Sequence, residues 1–242
     1  MKNLLLLPVL LFCGILFSQD LDGSWKLIER NGNPVDDMEV VNIIQDGYFS
    51  VGEKMIEGNK FHSARGGEYN VDGDDLTVVQ DFNTLNPEFI GKEINYSIEV
   101  DGDRLTISDP INKMVWKRIS ATNNDLTRNW VFTGREQNGE LSRSTPGDRR
   151  TVKILSGDRF QWIAFNSATG EFSGTGGGTY TAQNGKYTEN IEFFSRDDSR
   201  VGASLEFDYE VKDGEWHHKG LSSKGDPIYE IWSPYEEAYK KE

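Results

Sequence analysis

Apolar and polar side chains alternate along much of this chain with the period of a β-strand. Leu205, Phe207, Tyr209 and Val211 alternate with Glu206, Asp208 and Glu210, and Ile94, Tyr96, Ile98 and Val100 alternate with Asn95, Ser97 and Glu99. Successive strand side chains point to opposite faces, so each run offers one face to a core and one to water. Turn residues punctuate these runs. Asn184-Gly185 is a strong two-residue hairpin signal, because both positions tolerate positive φ. Asp46-Gly47, Asp72-Gly73, Asp101-Gly102, Gly157-Asp158 and Asp213-Gly214 mark further turns. Helical periodicity is confined to the tail from Pro234 to Lys241. Short strands at this turn spacing predict an all-β protein, a sandwich or an up-and-down barrel.

The pattern also repeats. Ala64-Arg65-Gly66-Gly67-Glu68-Tyr69 recurs as Thr175-Gly176-Gly177-Gly178-Thr179-Tyr180, a shift of 111 from Tyr69 to Tyr180. The same shift carries Val100 onto Val211 and lays the turn at Val71–Leu76 over that at Ala182–Tyr187. At the edges the shift drifts, as insertions would make it. Leu21-Asp22-Gly23-Ser24-Trp25 pairs with Leu126-Thr127-Arg128-Asn129-Trp130, and Met114-Val115-Trp116 with Glu230-Ile231-Trp232. Each half opens on a tryptophan, carries a glycine-rich strand ending in tyrosine and closes on a tryptophan. Internal repetition at this length means two copies of one unit. The expected architecture is two tandem small antiparallel up-and-down β-barrels, over 20–119 and 125–236, with the boundary in the polar stretch Ser120–Asn124.

Residues 1–18 read as a signal peptide: Lys2 in a short charged region, an apolar run from Leu4 to Phe17, then an abrupt polar turn at Gln19-Asp20. The run is too short to span a bilayer comfortably, and no other stretch is long and apolar enough to try. Cys13 raises lipidation, but Phe12 precedes it where a small residue is wanted, so simple export to the periplasm or exterior is the expectation. Cys13 is the only cysteine, and its removal excludes disulfides and thiolate metal sites from the mature chain. The net charge of −14 is scattered along the chain, which argues against nucleic acid or an anionic membrane surface as partner. The basic cluster of Arg143, Arg149 and Arg150 around Pro146-Gly147 reads as a solvated loop.

Gly23-Ser24-Trp25 at the start of the first strand resembles the lipocalin opening, in which a tryptophan plugs the closed end of the barrel. Trp116-Lys117-Arg118 resembles the late basic residue that packs over it. Phe160-Gln161-Trp162, Gly176–Tyr180, Tyr187-Thr188-Glu189 and Glu230-Ile231-Trp232 resemble a group of uncharacterised lipocalin-like exported proteins of Gram-negative bacteria. The second half departs at its opening, Arg128-Asn129-Trp130, and has no basic residue just after Trp232. The resemblance implies a barrel fold with a small-ligand interior, and it brings no reaction and no cofactor.

Phosphate loops, nucleophile elbows and His-Glu-x-x-His patterns are missing. Gly176-Gly177-Gly178 precedes no helix and reads as a strand with a bulge or a close backbone approach. His217 and His218 are neighbours on a strand and face opposite ways, and His62 lies in the other half, so no metal site is expected. The Asp-Gly-Asp turns lack the ligand spacing of a calcium loop.

A charge on the wrong face is more informative. Glu189 alternates in phase with Tyr187, Ile191 and Phe193, and Glu230 with Ile228 and Trp232. An inward carboxylate must be paired, hydrated or reached by a ligand. Arg159 and Arg196 are candidate counter-ions. Under the repeat, Glu189, Glu230 and Tyr187 replace Val78, Met114 and Leu76. The expected site is therefore a partly polar cavity in the second half, lined by Phe160, Trp162, Tyr180, Tyr187, Glu189, Trp216, His218 and Glu230, with the first half a dry structural copy. That predicts a non-catalytic exported binding protein for a small amphipathic or aromatic ligand. One alternative is a protein- or glycan-interaction module with an exposed aromatic patch at Phe194, Trp162 or Tyr235. A third reading is a hydrolase using Glu189 and Glu230 as paired carboxylates.

Overall fold

Asp46 and Gly47 (φ 52° and 71°), Asn184 and Gly185 (54° and 74°) and Asp213 and Gly214 (52° and 80°) all adopt the left-handed conformation that tight hairpins need. Those turns string the strands into meanders. The structure, a computed structural model, describes residues 21–137, 139–222 and 225–239. The expected signal peptide, Cys13 and the end of the tail lie outside the described residues.

The first half runs β1 (Gly23–Arg30), β2 (Asn33–Pro34), β3 (Met38–Gln45), β4 (Tyr48–Met55), β5 (Phe61–Asp72), β6 (Asp75–Asn83), β7 (Glu93–Asp101), β8 (Arg104–Ser108) and β9 (Lys113–Ser120). The second runs β10 (Arg128–Gln137), β11 (Glu140–Arg143), β12 (Arg149–Ser156), β13 (Arg159–Asn166), β14 (Glu171–Gln183), β15 (Lys186–Phe194), β16 (Ser204–Lys212), β17 (Glu215–Leu221) and β18 (Pro227–Pro234). A short helix, α1 (Tyr235–Ala238), falls within the stretch read as helical. In each half eight strands pair antiparallel in chain order and close, β1 on β9 and β10 on β18, while β2 and β11 are flaps on the first strand. Closure removes the exposed edges that an open sheet would present.

The repeat holds in detail. The indole N–H of Trp25 donates to the Leu21 carbonyl and that of Trp130 to the Leu126 carbonyl, both at 2.9 Å. Closing strands bulge at matching places, Leu27/Glu29 and Phe132/Gly134. So do the glycine-rich strands, at Gly66/Gly67 and Gly177/Gly178. A methyl group on Gly67 would strike the Val79 carbonyl, and one on Gly178 the Asn190 carbonyl. The bulge brings backbones too close for any side chain, which is why the glycines recur.

The barrels pack on each other through one face of β3, β4, β12 and β13. Ile43, Tyr48, Ala64 and Phe82 of the first half form one apolar cluster with Val131, Val152, Ile154 and Phe165 of the second. Contacts at its centre join equivalent residues: Ser156 donates to Gln45 at 2.8 Å, Ser50 to Gln161 at 2.7 Å, and the rings of Phe61 and Phe172 stack at 6.3 Å. Each pair is separated by 111 positions, so the interface has the self-opposed form of a two-fold dimer within one chain. Beside it, Arg150 Nη2 lies 2.7 Å from Asp81 Oδ2, with both side chains buried. Tyr48 donates to the same carboxylate oxygen at 3.0 Å and Tyr235 at 3.3 Å. Arg150 is thus a buried inter-barrel ion pair and not part of a solvated basic loop. Arg143 is held by Glu215 at 2.7 Å.

Candidate functional site: the cavity of the second barrel

The two interiors differ although their frames match. In the first barrel a cavity of about 60 Å³ remains among Ile44, Phe49, Val51, Leu76, Val78 and Trp116. That is room for a few waters. The first half is thus tightly packed but not wholly filled, a correction to the expected dry copy. In the second barrel the cavity is about 310 Å³ and partly open to solvent, with Arg200 and Ser222 among its lining residues.

Substitutions at equivalent positions account for the difference. Arg65 of β5 lines the first cavity and is ion-paired with Glu53. Its counterpart is Gly176, against which Trp162 and Phe194 pack; a methyl there would fall 2.8 Å from Trp162 Nε1. Removing the arginine clears the interior and lets two rings form the wall, in edge contact at 5.6 Å. The bulge matters too. Expected alternation placed Phe193 inward with Glu189 and Ile191, but the extra residue at Glu192 reverses the phase. Phe193 instead packs near Gly52 and Phe61 of the first barrel, and Phe194 turns into the cavity.

Of the eight residues expected to line the site, Trp162, Glu189, His218 and Glu230 do so. Phe160, Tyr180, Tyr187 and Trp216 are instead buried in the apolar core with Leu126 and Trp130. Tyr180 accepts a 2.9 Å hydrogen bond from Asn124. Tyr187 donates to Glu189 Oε1 at 2.9 Å. Burial, with the Glu189 carboxylate adding to it, pushes the Tyr187 phenol well above its ordinary pKa, so it stays a donor.

The partner of Glu189 is neither expected arginine. Arg159 pairs with Glu192, and Arg196 donates to the Ser173 carbonyl. Lys153 of β12 reaches inward and places Nζ 2.8 Å from Glu189 Oε1, with both side chains 6% exposed. Its ammonium also lies 5.0–5.6 Å from the ring centres of Trp232, Trp216 and Tyr187. At the equivalent place the first barrel has Asn42, paired across β1 with Trp25 as Lys153 is across β10 with Trp130.

Glu230 stands apart from that pair. Its Oε2 accepts from the Trp232 indole at 3.2 Å and lies 3.5 Å from His218 Nδ1, too far for a good hydrogen bond. Burial by itself would raise the Glu230 carboxyl, but His218 and the Lys153 ammonium outweigh it and hold the pKa below its ordinary value. Burial pushes His218 down, leaving a neutral imidazole whose two nitrogens have no hydrogen-bond partner among the described residues. His217 faces away, with Nδ1 2.9 Å from the Tyr229 hydroxyl, as strand alternation requires.

Eight antiparallel strands in chain order close each half, and Arg118 lies 4.0 Å over the Trp25 ring at the opening of the first. Each half is a closed up-and-down barrel of the kind that the lipocalin resemblance implies. In the second half the place after Trp232 carries no base, and Arg128 of the opening strand is 5.7 Å from the Trp130 ring instead. No protein-family model and no curated protein matches the chain. Among solved structures, a lipocalin-like protein from Bacteroides uniformis is similar at 19% identity over 41% of this chain and 99% of its own, with a TM-score of 0.34. An uncharacterized protein from Bacteroides eggerthii is similar at 16% identity over 41% of this chain and 99% of its own, with a TM-score of 0.33. A mutant of transferrin binding protein B, a vaccine antigen from Haemophilus parasuis, is similar at 10% identity over 84% of this chain and 61% of its own, with a TM-score of 0.24. No helix among the described residues is long and apolar enough to cross a membrane.

Proposed function

We propose that this is an exported, non-catalytic binding protein that takes a small amphipathic or aromatic ligand into its second barrel. The observation that carries the reading is the contrast between about 310 Å³ and about 60 Å³ in two barrels of one design. Ligand sites run from roughly 300 to 1,000 Å³ and combine apolar walls with a few convergent polar groups. The wider cavity is at the small end of that range and has both. The interaction-module reading draws less support, because Trp162 and Phe194 line the cavity and Tyr235 is buried between the barrels. Hydrolysis by paired carboxylates needs one protonated acid, whereas Glu189 is ion-paired and Glu230 is held ionised.

The test is a titration with the neutral fluorophore N-phenyl-1-naphthylamine, in the parent protein and in Ala203→Trp, which fills the cavity from its lining. Saturable binding that the substitution abolishes is expected. Equal binding by the filled variant would place the ligand elsewhere and end the proposal.

A further inference from the structure

Inside the second cavity one carboxylate, Glu230, has no lysine or arginine paired with it among the described residues. Lys153 is taken by Glu189, and Arg200, which also lines the cavity, lies 3.5 Å from Asp197 Oδ2. No described lysine or arginine lies within salt-bridge distance of Glu230. Its contacts with Trp232 and His218 both fall on Oε2, which leaves Oε1 to the cavity. The walls around it are Trp162, Phe194 and Trp232, and His218 lines the same space with its side chain 2% exposed and neither nitrogen hydrogen-bonded.

We infer that the cavity takes a small organic cation, an amine or ammonium on an aromatic or compact apolar body. Its nitrogen sits on Glu230 Oε1 and its body lies against Trp162, Phe194 and Trp232. The inference rests on the reading of the second barrel as a ligand site. An anion would be set beside Glu230 and would find Lys153 already neutralised, so its desolvation goes uncompensated. A neutral ligand would strip water from Glu230 and return no charge to it. A cation answers the carboxylate and is attracted by ring faces as well. The described donors do not converge as a metal-ligand set. At the position of Glu230 the first barrel carries Met114, so the charge belongs to the wider cavity alone.

Calorimetric titration of the whole mature chain with phenethylamine, phenethyl alcohol and phenylacetate separates the possibilities, with N-phenyl-1-naphthylamine as a probe of the cavity itself. The expected result is amine binding at least about tenfold tighter than either analogue. Glu230→Gln should remove that preference and leave the alcohol within about threefold of its original affinity. If the alcohol or phenylacetate binds as tightly as the amine, the inference falls and the cavity remains a ligand site. Failure of all three together with the fluorophore would overturn both readings. Should Glu230→Gln not fold, the ranking of the three compounds on the parent protein and the weakening of the amine by salt decide the matter.

Discussion

Replacing Lys153 by methionine keeps most of its bulk beside Tyr187, Trp216 and Trp232 and deletes only the charge. The partner, Glu189, is 5% exposed and would then keep the Tyr187 hydroxyl as its one described donor. Stranding a buried charge in this way costs about 3–5 kcal/mol. For a chain of this size about 1 kcal/mol moves the melting point by ~2–4 °C, so Lys153→Met should lower it by roughly 6–20 °C. The first barrel supplies the control, because it holds Val78 where the second holds Glu189. Lys153→Met/Glu189→Val should therefore be more stable than the single variant, within about 1–3 kcal/mol of the parent, since apolar replacement of a whole buried pair is often neutral or better but here leaves the buried Tyr187 hydroxyl without its acceptor. Urea unfolding followed by tryptophan fluorescence, with calorimetry, gives both numbers. A single variant within about 1 kcal/mol of the parent, or a double variant less stable than the single, would refute the claim that Lys153 is there for Glu189.

Gly178→Ala sets a methyl against the Asn190 carbonyl and should destabilise by about 1–3 kcal/mol or more, measured by urea unfolding; an unchanged midpoint would mean the bulge is not needed. His218 should give stability an acid limit. Burial depresses its folded pKa below 6.5, so the unfolded chain takes up the proton first. Stability is whole above about pH 6.5 and declines as pH falls from there through the lowered folded value; His218→Phe should flatten the melting-point profile on the acid side of about pH 6.5. Arg150→Met leaves Asp81 buried between the barrels without its cation, at a cost of about 3–5 kcal/mol, and should split one calorimetric transition into two as the barrels uncouple.

Strand character, turn positions and the tandem repeat were legible because each rests on local chemistry: period-two alternation, positive-φ turn residues and recurring glycine. The inward glutamates were legible for the same reason. What sequence spacing hid was the second buried face. In β12, Val152 and Ile154 alternate with Lys153, and ordinary alternation would send the lysine to water. The outward face of that strand is covered by the first barrel, so Val152 and Ile154 serve the interface and Lys153 points to the interior. Arg150 misled for the same reason, reading as loop charge when its partner, Asp81, comes from the other repeat. A bulge shifts phase without changing composition, which is why Phe193 and Phe194 exchanged roles. The size of the cavity was encoded in the replacement of Arg65 by Gly176, a signal visible in the repeat once its meaning is known.

The seam between the barrels also decides whom each half can accept as a partner. Where a two-fold pair is built from identical chains, a residue on the axis meets its own copy. Here the axis positions have diverged into long-against-short couples, Gln45 with Ser156 and Ser50 with Gln161. A first half offered another first half would set Gln45 against Gln45, crowding one point, and Ser50 against Ser50, leaving a gap at the other. Linkage in one chain has allowed the copies to become complementary to each other and mismatched to themselves. Each molecule thereby satisfies its own seam, and sedimentation should find a single species at the mass of one chain.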